Sequence, residues 1–129
     1  FRVSAYVLEA AGDAAVELTR SGRELSEDAL DDDTKATLRS IADLLEQIQN
    51  VSVKTFLARS ADGWKDVVSI YGELHKQINQ LEASATKMPQ PNSTTLHSII
   101  SVIEKISRCN IDIADLAFPL YPLLEQPLT

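Results

Sequence analysis

The stretch LEAAGDAAVEL, residues 8–18, carries two carboxylates in a segment whose composition favours a buried helix. Glu9 and Asp13 are four residues apart, a spacing that brings side chains together on a helix. Like charges at this spacing repel by roughly 0.2–0.5 kcal/mol unless a cation lies between them. The pair is therefore either screened by solvent or has a partner.

A second segment, IEKISRCNIDI at residues 103–113, repeats the pattern of the first at a shift of 95 residues. This shift places Glu9 on Glu104 and Gly12 on Ser107, and apolar positions coincide along the segment. Two segments that agree in this way are expected to be the same element in two copies of a structural unit. The sequence thus predicts an internal repeat that ends in a carboxylate-bearing helix.

Apolar residues recur at helical spacing along the chain, and no segment alternates as a strand does. An acidic linker and two proline- or glycine-containing interruptions separate the periodic segments. Short linkers between long amphipathic helices favour antiparallel packing. The sequence therefore predicts an all-α domain, an antiparallel bundle of about four helices. The predicted helices cover residues 3–24, residues 34 to about 59, a segment with apolar positions from Trp64 to Leu81, and one from Leu96 to Ile113.

Some polar and aromatic residues of these helices occupy informative positions. Trp64 and Tyr71 fall on the apolar stripe of the third helix and are predicted to lie in the core. Asn110 occupies a core position of the fourth helix, where an amide needs a hydrogen bond, sets helix register or meets water at the bundle end. Ser93 or Asn92 is expected to cap the start of that helix.

Composition excludes several classes of protein. The chain of 129 residues has a net charge of −7, and its twelve Lys and Arg residues are scattered, so we expect no nucleic-acid contact through this chain. Cys109 is the one cysteine, which excludes an internal disulfide and fits a reducing cytoplasm. No apolar run approaches the roughly 18 residues of a membrane span. We expect a cytoplasmic protein that is peripheral at most to a membrane.

Catalytic patterns are missing from the sequence. Neither His75 nor His97 has Glu three residues before it, as a ferritin-like di-iron centre requires, and both are predicted to lie on helix surfaces. The chain carries neither a glycine-rich phosphate loop nor a nucleophile elbow. Cys109 follows Arg108, but no histidine is near it in sequence, so a structural thiol is expected. The sequence predicts that the protein is not an enzyme.

The segments LEAAGDAAVEL and IEKISRCNIDIAD resemble the ERIGDHAxNIA signature of the PhoU family, whose members regulate phosphate transport and phosphate signalling. The family is built from two three-helix repeats, each of which ends in the signature helix. The resemblance implies that residues 1–24 end a first repeat, that residues 34–118 form a complete second repeat and that residues 119–129 are an irregular tail. Residues 1–129 would then be a single PhoU-like helical domain.

In PhoU-like proteins the acidic signature residues help to bind iron or zinc. The resemblance therefore implies metal ligands at Glu9, Asp13 and Glu104, which match the signature. Arg108 stands where the second signature would have its Asp, and a fixed cation there is expected to pair with Glu104 or Asp112 rather than admit a metal. On the preceding helix, His75 and Asn79 occupy positions where the family has carboxylates.

The resemblance implies a regulator that acts by protein contacts, with phosphate transporter components or a sensor kinase as partners. The first helix would lack the rest of its repeat, and an uncovered apolar face favours a homodimer. Two other functions stay open on the residues. One is a generic helical oligomerisation or interaction domain, and the other is a metal-binding helical bundle.

Overall fold

The computed structural model describes residues 30–117 together with Glu9 and Asp13. Over residues 30–117 the chain forms three long helices, α1 (Asp32–Ala58), α2 (Ala61–Lys87) and α3 (Asn92–Ala117). Glu9 and Asp13 also have helical backbone, and the described residues contain no strand. The all-α prediction is confirmed, and the second, third and fourth predicted helices correspond to α1, α2 and α3.

The three helices pack on one another around a shared core, and each helix contacts both of the others. Apolar residues three and four positions apart supply the core, because this spacing forms one continuous stripe on a helix. Burial of these stripes against each other is the main force that holds the bundle together. The core residues are Ile41, Ile48, Val67, Leu74, Ile78, Leu81, Ala85, Leu96, Ile99, Ile100, Ile103 and Ala114.

The connection between α1 and α2 is two residues long. Arg59 ends α1 in the left-handed conformation, with φ of 50°, and its amide N–H donates to the carbonyl of Thr55. Ser60 then caps α2, since its Oγ accepts a hydrogen bond from the amide of Gly63 at 3.1 Å. A left-handed residue at the end of a helix followed directly by an N-cap reverses the chain in little space. The two helices therefore run antiparallel.

The connection between α2 and α3 corrects one prediction about capping. Of the two residues predicted to cap α3, Ser93 or Asn92, Ser93 does not do so, because its buried Oγ donates to the carbonyl of Ala85 at 2.8 Å. The amide of Met88 donates to the same carbonyl. Ser93 thus satisfies the end of the preceding helix, because the tight turn through Pro91 brings the start of α3 against the last turn of α2.

Two aromatic residues lie at the edge of the core rather than inside it. Trp64 and Tyr71 are half-buried and pack against the core cluster. The prediction that they lie in the core is therefore only partly correct. The indole N–H of Trp64 donates to Oδ1 of Asp115 at 2.7 Å. An aromatic ring with a polar atom packs its apolar part inward and directs the polar atom to a partner or to water. This bond also shows that the start of α2 lies beside the end of α3.

Asn110 is buried, as its core position predicts, and 3% of its surface is exposed. Its Nδ2 donates to the carbonyl of Ile106 in the preceding turn of α3 at 3.0 Å. Because this bond stays within one helix, it satisfies the donor without joining two helices.

Among the described helices, none is both long and apolar enough to cross a membrane.

Candidate functional site: a groove between two helices

The three carboxylates predicted as metal ligands all lie on helices. Glu9, Asp13 and Glu104 have helical backbone and exposed side chains. Over the described residues, no group of three or more His, Cys, Asp or Glu side chains is placed to hold a metal ion. Most of the first signature segment falls outside those residues. Iron or zinc binding at the three carboxylates therefore stays a prediction.

Glu104 lies in a groove between α2 and α3 whose volume is about 270 Å³. The groove combines side chains that are distant in sequence, because antiparallel packing brings the middle of α2 beside the middle of α3. Its lining from α2 is Tyr71, His75 and Ile78, and its lining from α3 is Ser101, Glu104, Lys105, Ser107 and Arg108.

Two buried residues of the lining, Ile78 and Ser107, belong to the two helices that enclose the groove. The Oγ of Ser107 donates to the carbonyl of Ile103 at 2.9 Å. The buried hydroxyl is therefore satisfied within its own helix. Ser107 is also the position that aligns with Gly12 in the sequence repeat, so both copies carry a small residue there. A small side chain leaves space beside the packed helices.

The α2 side of the groove is aromatic. Tyr71 and His75 are one helical turn apart, and their rings stack with centroids 6.1 Å apart and planes inclined by 22°. Tyr71 is half-buried and His75 is exposed. The exposure of His75 and of His97 confirms the prediction that both lie on the helix surface.

The α3 side of the groove is charged. Glu104, Lys105 and Arg108 are all exposed, so two fixed cations and one carboxylate line the same small volume. The wall of the groove formed by α3 therefore carries charges of both signs. The side chains offer N–H donors for an anion, and Glu104 offers an acceptor.

The predicted ion pair of Arg108 does not form within the part of the chain that the structure describes. Arg108 makes a direct salt bridge neither with Glu104 nor with Asp112. It acts on Asp112 from a greater distance. Burial raises the pKa of the Asp112 carboxyl, Asp115 raises it further, and the Arg108 guanidinium partly offsets both effects. Spacing of four residues allows a helix pair but does not require one, because a solvated Arg side chain gains little from an exposed pair.

Cys109 follows Arg108 on α3 and is a half-buried free thiol. Burial raises its pKa, and the negative charge of Asp112 raises it further. Both effects disfavour the thiolate, which is the nucleophilic form of cysteine. The structure therefore favours the predicted structural role of this residue.

The structure brings together some of the residues that sequence reasoning singled out. Glu104, Arg108 and His75 line one groove. The helical pattern predicted a surface position for His75 but not its place beside Arg108. Asn79 is not among the lining residues. The contribution of Tyr71 was missed, because helical periodicity assigns a partly apolar ring to the core without showing which edge remains open.

Comparison of the chain with protein-family models, with characterised proteins and with solved structures gave no significant match.

Proposed function

We propose that the protein is a PhoU-like regulator of phosphate uptake or phosphate signalling that acts through protein contacts in the cytoplasm. The observation that carries this proposal is the three-helix unit of α1, α2 and α3. It covers nearly the same residues as the second repeat implied by the resemblance, and its last helix contains the signature-like segment. The helical, exposed positions of both Glu9 and Glu104 are compatible with equivalent places in two repeats.

Phosphate transporter components or a sensor kinase would be the partners of such a regulator. The experiment is deletion of the gene from the organism that carries it, followed by measurement of phosphate uptake in phosphate-rich medium. Loss of the regulator should leave uptake high when phosphate is abundant, and the full chain should restore repression. Affinity purification under the same conditions should recover a named transporter subunit or sensor kinase. Unchanged uptake after deletion would contradict the proposal.

A helical interaction or oligomerisation domain is the second candidate, and exposed apolar side chains favour it. Leu57 is 75% exposed. Val53, one turn before it on α1, is 39% exposed. Adjacent apolar residues on a helix surface are suited to contact with another chain. The predicted homodimer gives the test. Sedimentation velocity at micromolar concentration should show a dimer, and Leu57→Lys should shift it towards monomer. A monomeric wild-type chain would exclude this candidate.

A further inference from the structure

The groove between α2 and α3 has a combination of charges that selects among anions. Arg108 presents a planar set of N–H donors that matches the oxygen atoms of a tetrahedral oxyanion. The neighbouring Lys105 adds positive charge to the same wall. Within the described residues, Arg108 is engaged in neither a hydrogen bond nor an ion pair. Among the described residues, none therefore competes with a ligand for its guanidinium.

Glu104 makes the site unfavourable for most anions. An ionised carboxylate only accepts hydrogen bonds, and it repels a ligand that has no donor of its own. Sulfate has no proton near neutral pH and would meet this repulsion. A phosphate monoester loses its last proton only near pH 6, and inorganic phosphate keeps a proton throughout the neutral range. Either ligand can therefore offer negative oxygens to Arg108 and a P–OH donor to Glu104. The two side chains together fit a phosphate group better than they fit a fully ionised oxyanion.

We infer that this groove binds a phosphate group, free or carried by a small ester, with Arg108 as the anion-binding residue and Glu104 as the residue that recognises the phosphate proton. The volume of about 270 Å³ leaves room beside the phosphate, and Tyr71 and Ile78 line that remaining space. An organic group attached to the phosphate would contact them. The inference goes beyond the proposed function, because it concerns a ligand of this chain and requires no protein partner.

Isothermal titration calorimetry of the full chain with inorganic phosphate, glycerol 3-phosphate and sulfate at pH 6 tests the inference. A phosphate compound should bind at least about tenfold more tightly than sulfate, the effect of one hydrogen bond to a charged group. Tighter binding of the ester would identify a phosphate monoester as the ligand class, and tighter binding of inorganic phosphate would identify the free anion. Failure of both compounds to bind would overturn the inference.

Two variants separate the roles of the side chains. Arg108→Gln should weaken phosphate binding at least about tenfold, since a neutral amide replaces the charged donor. Glu104→Gln should abolish the preference for phosphate over sulfate, because an amide can donate to either anion. Arg39→Gln and Glu82→Gln remove the same charges from exposed positions outside the groove and should change neither quantity. Circular dichroism confirms that each variant is folded.

The preference for glycerol 3-phosphate over sulfate should also fall between pH 5.5 and pH 8, approximately the range in which a phosphate monoester loses its last proton. Inorganic phosphate keeps a P–OH group over this range, so its preference over sulfate should persist. Tyr71, His75, Glu104, Lys105 and Arg108 are the titratable and charged side chains that line the groove. Any change in their charge acts on sulfate as well as on phosphate, so the ratio of the two affinities reports the ligand proton. The inference would be contradicted if Glu104→Gln retained the preference for phosphate over sulfate. It would also be contradicted if Arg108→Gln bound phosphate as tightly as the wild type. In both cases the proposed regulatory function would remain to be judged by phosphate uptake.

Discussion

Gly63 allows a close approach between α1 and α2. A Cβ atom at this position would lie 2.3 Å from Oγ1 of Thr55 and 3.2 Å from its Cβ. Thr55 is buried, and its Oγ1 has no hydrogen-bond partner among the described residues. The glycine is therefore required by the space between two helices and not by its backbone conformation.

Gly63→Ala should lower the free energy of unfolding by about 1 to 3 kcal/mol, because the added methyl group must displace Thr55 or separate the helices. Urea denaturation followed by circular dichroism measures the change. Gly72→Ala is the matched control, since a Cβ there meets no atom within 4 Å and the residue is exposed on the same helix. It should raise stability by up to about 1 kcal/mol through helix propensity. Equal effects of the two substitutions would show that the close approach is wrong.

Asp112 gives a pH-dependent contribution to stability. Burial and Asp115 raise its pKa in the folded chain above the ordinary value of 3.8, in spite of Arg108. Folding thus disfavours the ionised carboxylate, so the contribution of Asp112 to stability is most favourable below pH 3.8 and is lost as pH rises through the folded pKa. Asp112→Asn should therefore raise the unfolding midpoint at pH 7, and the gain should disappear at pH 3. Asp43→Asn removes an exposed charge from α1 as the control, and a gain for Asp112→Asn that persists at pH 3 would contradict this account.

Local side chains and backbone conformations determine where the helices begin and end. Asp31 caps α1, where its Oδ1 accepts from the amide of Thr34 at 2.7 Å. Hydrogen bonding with the side chain of Thr34 is the largest cause that lowers the pKa of Asp31, and the bond from the Thr34 amide lowers it further. Ser60 has the same function for α2. Since Ser60 follows the left-handed Arg59 directly, one short segment ends one helix and begins the next.

Ser60→Ala should lower the free energy of unfolding by about 1 kcal/mol, because the amide of Gly63 loses its hydrogen-bond acceptor. Ser60→Asp should preserve stability, since its carboxylate can accept the same bond and is favoured at a helix N-terminus. Thermal unfolding of the three proteins at one pH gives the comparison. If Ser60→Asp lowered stability as much as Ser60→Ala does, the side chain of Ser60 would have a role other than capping.

At the scale of the whole molecule, the bond between Trp64 and Asp115 connects residues 51 positions apart in sequence. It joins the first turn of α2 to the last turn of α3, so it forms only when the helices have docked. Trp64 is also the one tryptophan in the chain. Its fluorescence therefore reports the tertiary arrangement of this end of the bundle.

Asp115→Ala should lower the free energy of unfolding by about 1 to 2 kcal/mol through loss of the acceptor, and should shift Trp64 emission to longer wavelength as the indole becomes hydrated. Asp115→Asn removes the same charge but keeps an oxygen acceptor, so it should retain most of the stability and the emission maximum. Because both variants lose the charge that acts on Asp112, the difference between them isolates the hydrogen bond. Identical emission spectra for Asp115→Ala and wild type would contradict the bond.

Apolar periodicity in the sequence is enough to predict the helical class and the positions of α1, α2 and α3. Apolar spacing of three and four residues fixes which side of a helix is buried, and Asp31 and the Ser60 segment carry local capping signals. The burial of Asn110 was also predictable, because its position continues the apolar stripe of α3. These features depend on residues within a few turns of one another.

The side chains that share the groove and the bonds that connect the helices depend on how the helices pack. Tyr71 and Glu104 become neighbours through the packing angle and register of α2 and α3, which a periodic pattern does not contain. The same register directs Ser93 to the carboxyl end of α2 and leaves Arg108 facing the groove without the predicted ion pair. Apolar periodicity predicts which face of each helix is buried. The side chains that meet at the edges of that face depend on the position of the neighbouring helix.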